Sequence, residues 1–468
     1  MDPAAKLSRG IGLFDATALV VGSMIGSGIF IVSAESARQV GSAGWLLAAW
    51  TVAGVSTMVA SLCCAELAAM LPRAGGQYVF FREAYGPLAG FLFGWTLMLV
   101  VQTGTIAAVA VAFGKFLGVV APAISSRPLF AAGPVSVSAV QLVAIAVILV
   151  LTASNATGVK TGTRTQNVFT VAKFAALLGL TAAGRLLGGG PGSALRGKNL
   201  WHAASSSGSA LTGVPLALAF GTAMAGPLFA QSAWNNVTFA GEEIRDPGST
   251  LPRALLAGCA IVTVLYVAAN VAYLNVLPLS GVARAPEDRV ATAVATALFG
   301  PPAAAAVAAA IMVSTFGCVN GLILSGARVG FAMARDGLFF RGLERINRAG
   351  VPGNALRAQA AWACLLVLSG SYSDLLKYVI SADLLFFVLL VLAVVVLRRR
   401  RPEWPRPFRL PGGALFPLLY AAGGVALILL LLSANPRTTW PGYLIVGAGV
   451  PVYALWRRRG AVAGATRA

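Results

Sequence analysis

The chain has 468 residues, 58% hydrophobic and 11% charged, with a formal net charge of +20. Soluble globular domains carry about a quarter charged residues, so this composition excludes a water-soluble fold and makes lipid the solvent of the apolar surface. A soluble protein this basic would point to nucleic acid, but here the charges cluster between long apolar runs, which excludes that partner and leaves the bilayer.

The first ten residues are polar, and apolar sequence follows from Ile11 without a small-residue cleavage pattern. A retained first helix is expected, not a cleaved signal peptide. A membrane helix needs roughly 20 apolar residues. Apolar runs at 13–37, 43–71, 86–120, 136–156, 166–187, 211–241, 251–277, 290–333, 357–373, 375–397, 413–434 and 439–456 predict an all-α polytopic membrane protein of about 12 transmembrane helices. The third and eighth runs are long, which predicts tilt or short interfacial extensions. Lysine and arginine set the orientation. With the N-terminus (1–12) in the cytoplasm, 24 of the 35 basic residues fall on that side, including Lys6, Arg9, Arg73, the Arg398–Arg401 run and Arg467. Both termini are therefore expected in the cytoplasm of a plasma (inner) membrane, with 398–412 as a basic loop and 457–468 as the tail. The arginine run reads as a stop-transfer anchor.

Taken in order, the spans differ in character. The first contains Val20-Val21-Gly22-Ser23-Met24-Ile25-Gly26-Ser27-Gly28-Ile29-Phe30. Gly22-x-x-x-Gly26 matches a small-residue packing face. Gly26-Ser27-Gly28 also fits a break, since such residues weaken a helix and broken backbone at membrane depth must line a cavity. Glu66 in the second span is expected to pair with Arg73. Gln102, Thr103 and Thr105 in the third either line a pocket or bond between helices. Lys173 lies inside the fifth, where an ionisable side chain is a functional candidate, with snorkelling to an interface as the other reading.

Residues 188–210 form the main outer loop. Gly192, Gly197 and Lys198 have the spacing of a phosphate loop, but Asn199 stands where Ser or Thr is required and no strand precedes it, so a nucleotide site is dismissed. His202, the one histidine, reads as a surface residue. The five cysteines (Cys63, Cys64, Cys259, Cys318, Cys364) lie in apolar runs without metal-ligand spacing and read as reduced thiols. Asp383 in the tenth span is either a structural contact or part of a permeation path.

The sixth span settles the reading of the first. Gly226-Pro227-Leu228-Phe229-Ala230-Gln231-Ser232-Ala233-Trp234-Asn235-Asn236 puts a helix breaker and a polar cluster in mid-span. Spans one and six then open two five-helix halves, 13–187 and 211–397, and interruptions at matching positions mark a transporter site at the midplane. A half-helix N-terminus there suits a carboxylate and freed carbonyls suit an ammonium, so a zwitterion is the natural ligand.

Gly26-Ser27-Gly28-Ile29-Phe30 resembles the GSGIF signature of the amino acid–polyamine–organocation superfamily. Pro72-Arg73-Ala74-Gly75-Gly76 with Tyr78, Ala84-Tyr85-Gly86-Pro87, Phe229-Ala230 with Trp234-Asn235, Glu242-Glu243, Leu251-Pro252 and Ala332-Met333-Ala334-Arg335-Asp336-Gly337 resemble its L-type amino acid transporter-like branch. The resemblance covers spans one to ten and implies a five-plus-five inverted repeat with discontinuous helices one and six, followed by two further helices at 413–456. It implies that Ser27 and Gly28 bind the substrate carboxylate through backbone amides, with Gly26 shaping the turn. Carbonyls near Met24, Ile25 and Phe229 receive the ammonium, Phe229 gates the pocket and Asn235 braces the unwound segment. Ala230 and Ser232 complete the substrate set. In this family a fifth-helix lysine replaces a sodium ion, so Lys173 implies sodium independence and could also carry protons.

Two departures matter. The family often has glycine where Ser232 and Ala233 stand and an aromatic residue where Gln231 stands, which implies a smaller pocket here. Residues 121–135 lack the cysteine of disulfide-linked members, so no accessory subunit held that way is expected. The expected function is secondary transport of small neutral L-amino acids by alternating access, through exchange or proton-linked uptake. A cationic amino acid or polyamine antiporter is the alternative, disfavoured because no acid lies mid-span in one, three, six or eight. A channel would pass current without counter-substrate. An enzyme is not expected, since a single histidine without acidic partners offers no hydrolytic centre, and no cofactor or metal is implied.

Overall fold

The first apolar run folds as two helices. α1 (Leu13–Met24) ends where Ile25 leaves the helical region (φ −74°, ψ 83°), and α2 (Gly28–Val40) restarts behind Ser27 after a bend of 42°. The computed structural model describes residues 10–73, 75–132, 135–157, 160–197, 199–205, 209–369, 372–434 and 436–465. Lys6, Arg9, Ala74, Lys198 and Arg467 lie outside them.

α3 (Ala43–Met70) starts on Ser42, whose hydroxyl accepts the Trp45 amide at 3.3 Å, a standard N-cap. α4 (Gln77–Tyr85) is short, and α5 (Pro87–Thr96) begins on a proline, whose missing amide is not needed there. A π-turn over Leu97–Val101 joins α5 to α6 (Gln102–Val120), so the long third span is one 34-residue helix with an inserted residue's worth of slack. An antiparallel hairpin follows, β1 (Pro128–Ala132) with β2 (Val135–Ser138), which the apolar pattern does not announce. α7 (Ala139–Ala156) opens on a Ser138/Gln141 capping box, and α8 (Lys160–Leu187) completes the first half.

The second half repeats the plan. α9 (Gly213–Ala230) stops four residues after Gly226, a short α10 (Asn236–Phe239) follows, and α11 (Pro247–Val276) is the seventh span. The expected eighth span, 290–333, is corrected. After α12 (Leu279–Ala283), a separate α13 (Val290–Phe299) ends at Gly300 (φ 81°), and Pro301 starts α14 (Pro301–Arg335). A positive-φ glycine followed by proline is a strong stop-and-restart signal, so the extra length is a separate short helix with Val290, Ala291, Val294 and Ala295 buried, the extension that one of the two expectations allowed. α15 (Gly353–Ser369), α16 (Tyr372–Arg400), α17 (Leu415–Ala434) and α18 (Pro436–Ala465) close the chain.

Among the described residues, eight helices are long and apolar enough to cross a bilayer alone, and α1 with α2 makes a bent ninth. α15, α16 and α18 stand at the three remaining expected positions. The protein is thus an all-α polytopic membrane protein with a five-plus-five arrangement whose first and sixth spans are discontinuous. α1 packs against α11, α8 and α14, while α2 packs against α9. α17 turns large side chains such as Leu419 (60% exposed) outward, a face whose natural solvent is hydrocarbon.

Candidate substrate site

The two interruptions touch. A methyl group built on Gly28 would lie 2.5 Å from Ala230 Cβ and 2.8 Å from its Cα, so α2 begins directly against the end of α9. The amides of Gly28 and Ile29 make no backbone hydrogen bond among the described residues, as expected at a helix start. Gly26 is folded back, its amide on Met24 O at 2.8 Å.

The carbonyls released at the end of α1 are engaged by side chains from neighbouring helices. Met24 O accepts Tyr266 OH of α11 at 2.9 Å. Ile25 O accepts Ser314 Oγ of α14 at 3.3 Å, and Ser23 O accepts the Cys318 thiol at 3.5 Å. Gly22 O accepts the Lys173 ammonium of α8. Each carbonyl has two lone pairs, so acceptor capacity survives. Tyr266, Ser314 and Cys318 carry no signal in the sequence, because their role depends on which helices lie beside α1.

The α9 break is also self-bonded. Phe229 is buried, and its carbonyl accepts both the amide and the hydroxyl of Ser232, at 3.1 and 2.8 Å. Ser232 thus occupies an acceptor that the sequence reading assigned to the ammonium. Gln231 turns away, donating to Trp50 O at 3.2 Å and accepting from Thr263 at 3.1 Å. Ala233 is left-handed at φ 66°, a conformation that favours glycine. A small cavity of about 10 Å³, room for about one water, lies beside Ser232 and is also lined by Thr57, Gln231, Trp234, Phe387 and Tyr420.

Buried polar groups here that lack partners among the described residues include the Ser23 hydroxyl, the Trp50 indole N–H and the Asn236 side-chain amide nitrogen. Buried polar groups are nearly always satisfied. Trp50 packs edge-on against Tyr266 at 5.5 Å, so the indole and the Met24 ligand share one wall.

A family model for amino acid permeases matches residues 11–451. The chain belongs to that family. It is similar to large neutral amino acids transporter small subunit 2 of Rattus norvegicus, 31% identical over 96% of this chain and 81% of that one. It is 30% identical to Asc-type amino acid transporter 1 of Mus musculus, over 97% and 82%. It is 29% identical to the cystine/glutamate transporter of Homo sapiens, over 96% and 86%. The protein is therefore a membrane permease of the L-type-like branch of the superfamily, not an enzyme.

In this permease Lys173 does not snorkel. It is 1% exposed and its ammonium points into the α1 end at Gly22, and Thr170 donates to Ala18 O at 3.4 Å on the same seam. Asn235 donates to Gln77 Oε1 at 2.7 Å and so ties the irregular segment to α4. Gln102 donates to Leu322 O of α14 at 2.7 Å, Thr103 to Met98 O at 2.9 Å and Thr105 to Val101 O at 2.6 Å, bonds between and within helices. Asp383 is buried and shares a helix face with the cavity residues Ile380, Leu384 and Phe387.

One expected contact is wrong. Glu66 pairs with Arg398 (2.5 Å) and lies 3.7 Å from Arg406, and it accepts the Leu410 amide at 2.8 Å. Arg73 instead faces Glu83 at 3.8 Å. Arg398 is thus more than a membrane anchor; it folds the basic loop onto α3. Two of the motifs meet on the same side. Tyr78 donates to Asp336 at 2.7 Å, and Arg82 pairs with Asp336 at 2.5 Å. Burial, with the bond to Asp336, pushes the Tyr78 phenol above its usual range, so it stays a donor. The start of the described chain joins them. Gly10 and Ile11 amides donate to Glu243 O at 3.0 and 3.1 Å, Arg245 N donates to Ile11 O at 3.0 Å, and Glu243 pairs with Arg328 at 3.0 Å.

Proposed function

We propose that this permease is a secondary active transporter of small neutral L-amino acids, sodium-independent and working by exchange or proton-linked uptake. The observation that carries the reading is the contact of Gly28 with Ala230, which puts a helix start and a set of freed carbonyls in one place. The amides of Ser27 and Gly28 take the carboxylate, with Gly26 shaping the turn. The carbonyls of Met24 and Ile25, joined by the unpartnered Ser23 hydroxyl, take the ammonium, and Ser232 must leave the Phe229 carbonyl before that group can join them. Phe229 gates the site, Ala230 and Ser232 bound the side-chain pocket, and Asn235 braces it. Ser232, standing where the family often has glycine and folded onto the Phe229 carbonyl, supports a small substrate. Lys173 fixes α1 where related transporters hold sodium. The two halves, 13–187 and 211–397, rock against each other around this site, with both termini on the basic, cytoplasmic side of the plasma (inner) membrane and no disulfide-linked accessory subunit.

The test is uptake of a panel of labelled amino acids into proteoliposomes, with and without internal amino acid, sodium or a proton gradient. Alanine, serine and similar substrates are expected to be taken up equally in sodium and choline media. Uptake confined to lysine, arginine or polyamines, or to sodium medium, overturns the reading.

A further inference from the structure

Away from the helix breaks, a crevice of about 340 Å³ runs between α8 and α14. On α8 it is walled by Lys173, Ala176, Gly179 and Ala183. At 1.5 Å per residue those positions span about 15 Å. One end is buried, with Lys173 and Ser314, whose hydroxyl reaches the freed Ile25 carbonyl at 3.3 Å. The other end is open, beside Ala306 and the exposed Phe299.

Three features define what fits. Small side chains hollow both helices, and a Cβ added at Gly179 would meet nothing within 4 Å. The walls are apolar except for Ser314 and Lys173 at the buried end, the one charged residue of the lining, whose ammonium reaches Gly22 O. An engineered apolar cavity of about 150 Å³ holds benzene, so this volume takes a considerably longer molecule. An apolar channel with a single buried cation at its inner end matches an amphipathic anion. Its chain leaves water for the walls, and its head supplies the ammonium with a charge-assisted partner.

We propose that the crevice is a second binding site, for a hydrophobic monocarboxylate whose carboxylate lies at Lys173 and whose unbranched chain runs along α8 and α14 towards Phe299. Such a ligand competes with Gly22 O for the ammonium and wedges against Phe30 of α2, which also lines the crevice. It therefore holds the interrupted helix from the side opposite α9, and it inhibits transport without resembling the substrate.

The experiment is equilibrium dialysis of radiolabelled decanoate against the purified full-length permease, with decanol as the uncharged chain of equal length. Binding does not depend on the transport reading, so the two can fail separately. Decanoate is expected to bind saturably and decanol at least about tenfold more weakly. Gly179→Leu and Ala310→Leu fill the channel and are expected to weaken decanoate by about tenfold or more while uptake persists. Lys173→Gln is expected to lose decanoate binding in protein that still elutes as a monodisperse peak. Equal binding of decanol, the result for an occupant that is simply a lipid acyl chain, overturns the proposal. Unchanged decanoate binding in both filled variants does so as well.

Discussion

Gly28→Ala is the most direct probe of the contact between the two helix breaks. The new methyl carbon would lie 2.5 Å from Ala230 Cβ and 2.8 Å from Ala230 Cα, where carbon atoms settle at about 3.5–4.0 Å. Relief requires α2 and α9 to part by about 1 Å, and neither obstructing atom sits on a flexible side chain. Overpacking of this kind costs about 1–3 kcal/mol, and the backbone obstruction puts it in the upper half of that range. A displacement of about 1 Å at a site built on backbone groups can lower activity about a hundredfold. Initial rates of alanine uptake in proteoliposomes, normalised to inserted protein, are expected to fall by about tenfold to a hundredfold, with a lower Tm. Ala230→Gly removes the nearer obstruction and leaves the Cα, so the double variant is expected to recover part of the loss, a non-zero coupling in the cycle. Uptake of Gly28→Ala within about twofold of the parent, or strictly additive losses, would refute the contact as the organising feature of the site.

Further outcomes are as specific. Lys173→Ala is expected to abolish uptake in correctly inserted protein, because the Gly22 carbonyl loses its ammonium; unchanged uptake would remove Lys173 from the mechanism. Ala233→Val is expected to destabilise by about 1–2 kcal/mol, since a branched side chain resists the left-handed region, whereas Ala233→Gly stays within about 0.5 kcal/mol; thermal unfolding separates them. Glu66→Gln is expected to lower stability by about 2 kcal/mol, below the range for fully buried pairs because the Arg398 side chain is 14% exposed. Arg73→Ala is expected to stay within about 0.5 kcal/mol, and a larger effect of Arg73→Ala than of Glu66→Gln would contradict the pairing.

What could be read from the chain was what local chemistry dictates. Gly26-Ser27-Gly28 announces its break because such residues weaken a helix wherever they fall, whereas α9 runs through Gly226-Pro227 and breaks only after Ala230, at the polar cluster that follows. Gly300-Pro301 carries an equally local signal, but inside a long apolar run it was absorbed into the eighth span. The partners of the freed carbonyls were not legible. Tyr266, Ser314 and Cys318 lie in ordinary apolar spans, and only tertiary packing brings them to α1. Proximity in sequence misled at Glu66, whose partner Arg398 lies 332 positions away. At Ala233 a departure from the family's glycine was visible, but the left-handed backbone behind it was not. The return of Ser232 to the Phe229 carbonyl is a geometric fact that residue type cannot disclose.

The bonds between Ile11 and the segment around Ile244 give α1 a second fixed point. The helix is pinned at its start by backbone hydrogen bonds to residues 243–245 and at its far end by Lys173 on Gly22. A rod held at both ends cannot pivot about either one until the other lets go. Movement of α1 on this face then requires both attachments, at Ile11 and at Gly22, to be released. A substitution that breaks the backbone pairing of Ile11 with residues 243–245 therefore acts on α1 at the end remote from Gly22.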